Sequence, residues 1–244
     1  MLFKRGDKFF LDIQKTWCTN TMKGRLNVHN TGGHYSRSPI DNATKILNLK
    51  YPEVKTQLNY NTPFELLIAT ILSAQCTDKQ VNIVTKKLFE KLKTPYDFAE
   101  APIELIEKFI KSTGFFRNKA KNIKNCSKNI IEKHNGEVPD SIEELTGLAG
   151  VGRKTANVVL GAAFGIPGIV VDTHVARISQ RLSLSDNKDP VRIEFDLMKI
   201  IPKREWNDFC LRLIYFGREV CKARKPLCPS CPLTNLCDYQ HKTG

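Results

Sequence analysis

Lys154, Asp172 and four C-terminal cysteines are the residues of this 244-residue chain whose types and spacing can do chemistry. Lys154 lies in the run Leu148-Ala149-Gly150-Val151-Gly152-Arg153-Lys154-Thr155-Ala156, where a glycine-bracketed turn opens directly into a helix. A lysine amine attacks an electrophilic carbon only when neutral, and a free lysine, with a pKa of about 10.4, is almost wholly protonated at neutral pH. A helix N-terminus carries partial positive charge and disfavours a second cation beside it, and burial in a cleft acts the same way. The position is therefore chemically sensible for a Schiff-base nucleophile, and one more solvated charge in a basic protein is the alternative reading. Asp172, in Val170-Val171-Asp172-Thr173-His174, stands at or just before the start of a helix carrying Val175, Ile178 and Leu182. Capping that helix occupies one carboxylate oxygen. The other is left to face a substrate as a proton acceptor or electrostatic stabiliser. His174 reads as a packing and hydrogen-bonding residue that positions its neighbours.

Cys221, Cys228, Cys231 and Cys237 are spaced C-x6-C-x2-C-x5-C, with Pro226, Pro229 and Pro232 stiffening the turns. No signal peptide with an apolar core opens the sequence, so an intracellular, reducing setting (cytoplasm or nucleoid) is expected. There a cysteine cluster reads as a metal site before a disulfide framework. Zinc and an iron–sulfur cluster both accept four cysteines. Only one close pair is present, and the wide first gap leans toward the bulkier cluster. That gap holds Lys222, Arg224 and Lys225, so a metal that folds the loop would fix three bases for phosphate contact.

These groups need a scaffold, and the apolar spacing is helical. Thr62-Pro63 starts a helix whose stripe is Phe64, Leu67, Ile68, Ile71 and Leu72. A shorter helix precedes it around Ile46, Leu47, Tyr51 and Val54. Asp78 is expected to cap a third, Pro95 and Pro102 punctuate two short ones, and a longer one runs from about Phe116 to His134 before Asn135-Gly136. Ser141-Ile142-Glu143-Glu144 reads as a capping box, and the helix it opens ends at Gly150-Val151-Gly152. The next helix carries Ala156, Val159, Leu160 and Ala163, and Gly161 inside it marks close packing. Two helices joined by a glycine turn make a helix-hairpin-helix. The backbone N–H groups of Gly150, Val151, Gly152 and Arg153 there form an anion site suited to a DNA phosphate. No strand-like alternation of useful length appears, and Ile169-Val170-Val171 is as easily the lead into another helix. The expected fold is all-α.

The net charge of +13 favours a polyanionic partner, most often nucleic acid. Residues 1–40 contribute +5 and the remainder +8, so the basic character belongs to the body of the protein as well as its start. Residues 1–40 mix charge, Asn, Thr and Gly without periodicity and read as a loosely ordered basic extension. Organelle targeting is the weaker reading of that segment, because Asp7 and Asp12 interrupt the basic pattern. No apolar run approaches the length of a membrane span, which argues against a membrane partner.

Taken together, the hairpin run extended through Asn157-Val158-Val159, Val171-Asp172-Thr173-His174 and the four-cysteine spacing resemble the endonuclease III family. Pro63-Phe64-Glu65-Leu66-Leu67, Leu72-Ser73-Ala74-Gln75 and His134-Asn135-Gly136-Glu137-Val138-Pro139 are similar to it as well, and the resemblance covers residues 41–244. It implies a bifunctional DNA glycosylase and abasic-site lyase that removes oxidised pyrimidines from double-stranded DNA. In that reading Lys154 is the nucleophile, Asp172 its carboxylate partner, and the four cysteines hold a 4Fe-4S cluster. The implied architecture is a six-helix domain over 56–166 and a discontinuous second domain from 41–55 and 167–244, with the cluster loop at 221–237 and the active site in the cleft between. The same resemblance implies a monomer, and places Gln75 and Phe115 where side chains fill the gap left by a flipped base. Phe115 replaces a common leucine, and Ala149 replaces a common proline. An adenine-type mismatch glycosylase of the same superfamily lacks the lysine and adds a further C-terminal domain. A non-catalytic DNA-binding iron–sulfur module would have no use for the Lys154 and Asp172 pair.

Overall fold

Thr62-Pro63 opens a helix as its chemistry requires: the Thr62 hydroxyl accepts the Glu65 N–H at 3.1 Å, and Pro63 takes the first position, where no N–H is needed. The computed structural model describes residues 37–242, and every regular element among them is helical. In chain order they are α1 (Arg37–Lys50), α2 (Pro63–Leu72), α3 (Asp78–Lys91), α4 (Pro95–Glu100), α5 (Ile103–Ile110), α6 (Phe116–His134), α7 (Ile142–Thr146), α8 (Arg153–Ala163), α9 (Thr173–Arg181), α10 (Pro190–Ile200) and α11 (Trp206–Glu219). Short 3-10 turns lie at Lys111–Thr113, Lys203–Glu205, Cys228–Ser230 and Thr234–Leu236. The all-α expectation holds, and Ile169-Val170-Val171 is an irregular lead into α9.

Several local expectations shift. The first helix begins at Arg37 and ends at Lys50, so the boundary drawn at residue 40 falls inside a helix and Val54 lies beyond it. The readings of residues 1–36 lie outside the described residues. The cap of α3 is Thr77, whose hydroxyl accepts the Gln80 N–H, while Asp78 turns its carboxylate to Arg218 at 2.8 Å. Ser141 caps α7, but Glu144 accepts the Ser141 hydroxyl at 2.7 Å instead of returning a bond to the cap backbone. The reciprocal box sits at α4, where Asp97 accepts the Thr94 N–H and Thr94 accepts the Asp97 N–H. At the end of α6, Asn135 and Gly136 both adopt left-handed backbone, and the Gly136 N–H reaches Ile130 O at 3.1 Å, a Schellman-type stop.

The apolar residues collect into two cores. The first runs from Leu58 to Leu160 and is built by α2 to α8. Helix α2 lies at its centre: Phe64 through Leu72 are all buried, where the spacing alone suggests a single stripe. The second gathers Ile40, Ala43 and Leu47 of α1 with residues of α9, α10 and α11, and ends at Leu233. The described residues therefore start in the second core, build the first, and return after α8. Arg212 of α11 fastens α1 by donating to Tyr51 O at 3.0 Å, and the Tyr51 hydroxyl donates to Glu219 at 2.7 Å.

Candidate active site and cysteine loop

The hairpin turn joins α7 to α8 through Gly147 to Gly152. Leu148 and Val151 are buried beneath it, and the Val151 N–H closes back on Leu148 O at 3.2 Å. Gly150 has φ +75°, and a Cβ there would meet the Asn122 side chain at 2.7 Å, so glycine is required on both counts. Gly152 is different: its backbone is ordinary, and nothing lies within 4 Å of the place a Cβ would take. What glycine leaves at 152 is open approach. No side chain caps α8, so its first-turn N–H groups present positive dipole to that open side. Arg153 turns inward to Glu194 of α10, with Nε and Nη2 donating at 2.7 and 2.8 Å to a carboxylate that is only 3% exposed. Asn157, one turn on, adds a 3.2 Å bond to the same carboxylate and donates to Ile169 O at 2.9 Å.

Lys154 and Asp172 line one cavity of about 350 Å³ between the two cores. Its walls come from residues 54–58 and Tyr60, from Thr70 and Ser73 at the end of α2, from Lys154, Asn157 and Gly161 of α8, and from α11. Asn207 of α11 lies so close to Gly161 that a Cβ would meet its Oδ1 at 2.8 Å, which accounts for that glycine. The same Oδ1 accepts the Gly168 N–H at 2.8 Å, holding the lead into α9. Asp172 caps α9: its Oδ1 accepts the His174 and Val175 N–H groups, both at 2.8 Å. Both bonds fall on Oδ1, which leaves Oδ2 for the cavity. Among the described residues no ion pair within 4.0 Å engages Lys154. It is exposed at the mouth, whereas Asp172 is half-buried. His174 packs against Gly217 of α11 with Nδ1 3.1 Å from Arg177 Nη2, and Arg177 donates onward to Cys221 O at 2.8 Å. Burial, seconded by the Arg177 and Arg218 charges and opposed by Asp172, holds the imidazole below the ordinary histidine range.

Cys221, Cys228, Cys231 and Cys237 line a second, small cavity together with Arg181, Val220, Leu227 and Tyr239. Arg181 lies over the Tyr239 ring at 4.0 Å and donates to Cys221 Sγ at 3.2 Å and Lys222 O at 2.8 Å. Burial pushes the Cys231 thiol up to about 11 and raises that of Cys237. No group of three or more described His, Cys, Asp or Glu side chains stands ready to hold a single metal ion. Lys222, Arg224 and Lys225 are exposed on the loop, and Lys225 has φ +51°.

Gln75 and Phe115 are exposed loop tips, and both are non-glycine residues in left-handed backbone, at φ +54° and +48°. Such conformations cost about 1 kcal/mol or more and persist only where the surroundings over-determine them. Phe115 is 66% exposed, the most exposed large hydrophobic side chain described.

Asn157, Arg218, Asp78 and Glu194 brace this site, and the sequence singles out none of them as a site residue: Asn157 is only part of the hairpin run and Asp78 only an expected cap. Asn157 alone had a signal, as a polar residue amid the apolar stripe of α8. Arg218 meets Asp78 across 140 positions of sequence.

Fold and site define a helix-hairpin-helix protein with a lysine and a carboxylate in an interdomain-like cleft, and comparison with known proteins gives the same class. Residues 68–203 match the family described as HhH-GPD superfamily base excision DNA repair protein. The endonuclease III of Synechocystis sp. is 55% identical over 79% of this chain and 88% of its own length, and that of Escherichia coli K12 is 45% identical over 78% and 90%. Among solved structures, a trapped endonuclease III–DNA covalent intermediate aligns with TM-score 0.80 and 50% identity over 84% of this chain and 97% of that one. A thermostable thymine-DNA glycosylase aligns at TM-score 0.73 with 26% identity, over 83% and 95%. The chain belongs to the endonuclease III family within the HhH-GPD superfamily. Among the described residues no helix is long and apolar enough to cross a membrane.

Proposed function

We propose that this chain is a bifunctional glycosylase and abasic-site lyase that removes oxidised pyrimidines from double-stranded DNA through a Schiff base on Lys154. The observation that carries the proposal is the shared cavity: one amine and one carboxylate face the same space at a helix-hairpin-helix, without being locked into an ion pair. The trapped covalent endonuclease III–DNA neighbour supports a covalent route. A damaged pyrimidine leaves the stack and enters the cleft, and damage lowers the cost of extrusion. Neutral Lys154 Nζ attacks C1′, the C1′–N bond breaks, and the base leaves carrying the bonding pair and a proton. Asp172, fixed by its Oδ1 bonds, stabilises the positive charge developing on the sugar and relays protons. Opening of the sugar ring gives the imine, whose C2′ proton is lost as the C3′–O bond breaks and the 3′ phosphate departs. His174 and Arg177 hold α9 and thereby the orientation of Asp172.

The two cores serve as the two domains, 56–166 and 37–55 with 167–242, and DNA lies across the cleft between them. The hairpin N–H groups and the exposed bases of the cysteine loop take phosphates. Gln75 and Phe115 fill the space vacated by the base. Arg153 acts through its Glu194 tie, as a brace under the hairpin. The four cysteines fit a 4Fe-4S cluster: four half-buried thiols line one cavity, and an Arg181 N–H already points at Cys221 Sγ. When bound, the cluster supplies a crosslink that fixes the loop. The protein works as an intracellular monomer.

The test is excision by purified protein on duplexes carrying thymine glycol, another oxidised pyrimidine, or adenine opposite oxidised guanine. Release of the pyrimidines with strand cleavage 3′ to the site is expected. Release of adenine alone, without cleavage, would replace this reading with the mismatch-glycosylase one.

A further inference from the structure

Lys119 of α6 is a lysine that the chemistry above does not use, and it is only 5% exposed. Its Nζ donates to Leu72 O at 2.9 Å and to Thr113 O at 2.8 Å. No carboxylate pairs with it among the described residues. Burial draws its amine below the ordinary lysine range, with the nearby Cys76 opposing. A buried amine held only by backbone carbonyls is costly to place, so its position asks for a reason.

The two carbonyls supply one. Leu72 is the last residue of α2, and Ser73-Ala74-Gln75 follows it; Thr113 ends the 3-10 turn, and Gly114-Phe115 follows it. Gln75 and Phe115, both exposed and left-handed, lie three and two residues beyond the clamped carbonyls. One side chain thus joins the roots of two loops that lie 40 residues apart in sequence. Thr113 is itself buried and tied back to Ile110 O at 2.8 Å, so the root is firm while the tip stays open. The Gln80–Ser112 bond between α3 and the same turn is exposed, where water replaces such a bond at little cost.

We propose that Lys119 is a positioning residue that sets the spacing of the Gln75 and Phe115 loops, so that both tips enter the duplex in register when a base is drawn out. The proposal rests on the function argued above. A single-stranded abasic site has no stacked partner strand and no gap to fill, so its cleavage does not need that register.

The experiment compares Lys119→Met with wild type in single-turnover excision of thymine glycol from a duplex and in β-elimination at an abasic site in a single strand. Excision from the duplex is expected to fall by about tenfold to a hundredfold while single-strand cleavage stays within about twofold. In a Gln75→Ala/Phe115→Ala background the same substitution is expected to cost nothing further, since the clamp then has no tips to place. Equal activity on both substrates, parallel loss on both, or additive loss in that background would each overturn the clamp. Should Lys119→Met not fold, Lys119→Arg, which keeps the charge but alters the reach, must show the same selective loss and the same non-additivity. Wild-type protein that excises nothing and cleaves no abasic site would instead overturn the function on which the clamp rests.

Discussion

Asp172 shows how one residue serves two physical needs. Its Oδ1 satisfies two orphan N–H groups of α9, and its other oxygen is left toward Lys154's cavity. Both roles are legible in the sequence, because an acidic residue before an apolar-periodic helix is a cap and a family motif at once. Arg153 was legible only in part. Its place at the start of α8 suggests phosphate, whereas the structure gives its guanidinium to Glu194, 41 residues away, and no local pattern encodes that partner. Asp97 offers a titration test at this scale. The Lys93 and Thr94 N–H groups hold its carboxyl below the usual carboxylate range. A depressed carboxyl stabilises the fold above its unfolded value of about 3.9, and that stability is lost as pH falls through the lower folded value. Wild type is therefore expected to lose stability relative to Asp97→Asn as pH drops below about 4. Denaturant midpoints that move in parallel over that window would show that Asp97 contributes nothing.

At the scale of elements, helix existence was readable from spacing and caps, and helix ends less so. Thr77 rather than Asp78 caps α3 because Asp78 has a better partner in Arg218, a contact that exists only after folding. The α4 box went unread because Asp, not Glu or Gln, stands at its third position. Gly161 separates two effects cleanly. By propensity alone, Gly161→Ala stabilises a helix interior by about 1 kcal/mol. The new Cβ, however, would lie 2.8 Å from Asn207 Oδ1, which must then move and release the Gly168 N–H. An unpaired buried donor costs about 1–3 kcal/mol, so the variant is expected to melt lower than wild type. A raised melting temperature would mean that Asn207 yields without loss.

At the scale of the molecule, two cores meet over the cleft, and among the described residues two ion pairs span it: Arg153–Glu194 and Arg218–Asp78. Sequence reading could foresee both sets of helices but not the ties, since each joins residues from opposite cores. Glu194 is buried while Arg153 is about a third exposed, so solvent screens part of the interaction. Glu194→Ala is expected to cost about 2 kcal/mol by leaving Arg153 and Asn157 without their acceptor. Arg153→Ala should cost a similar amount, and the two losses should not add. Additive losses in denaturant unfolding would show that the pair is not one unit. The cysteine loop makes a separate claim: purified protein should contain about four iron atoms with matching sulfide per chain, and Cys221→Ser should lower that content. Stoichiometric zinc in a colourless protein would contradict it.

The central claim is that Lys154 forms the covalent bond to the sugar. Borohydride reduction of the protein mixed with DNA containing an abasic site tests it directly, because only an imine is trapped. The account predicts a stable protein–DNA adduct for wild type and none for Lys154→Ala, with DNA binding by the variant retained. An adduct formed undiminished by Lys154→Ala would contradict it.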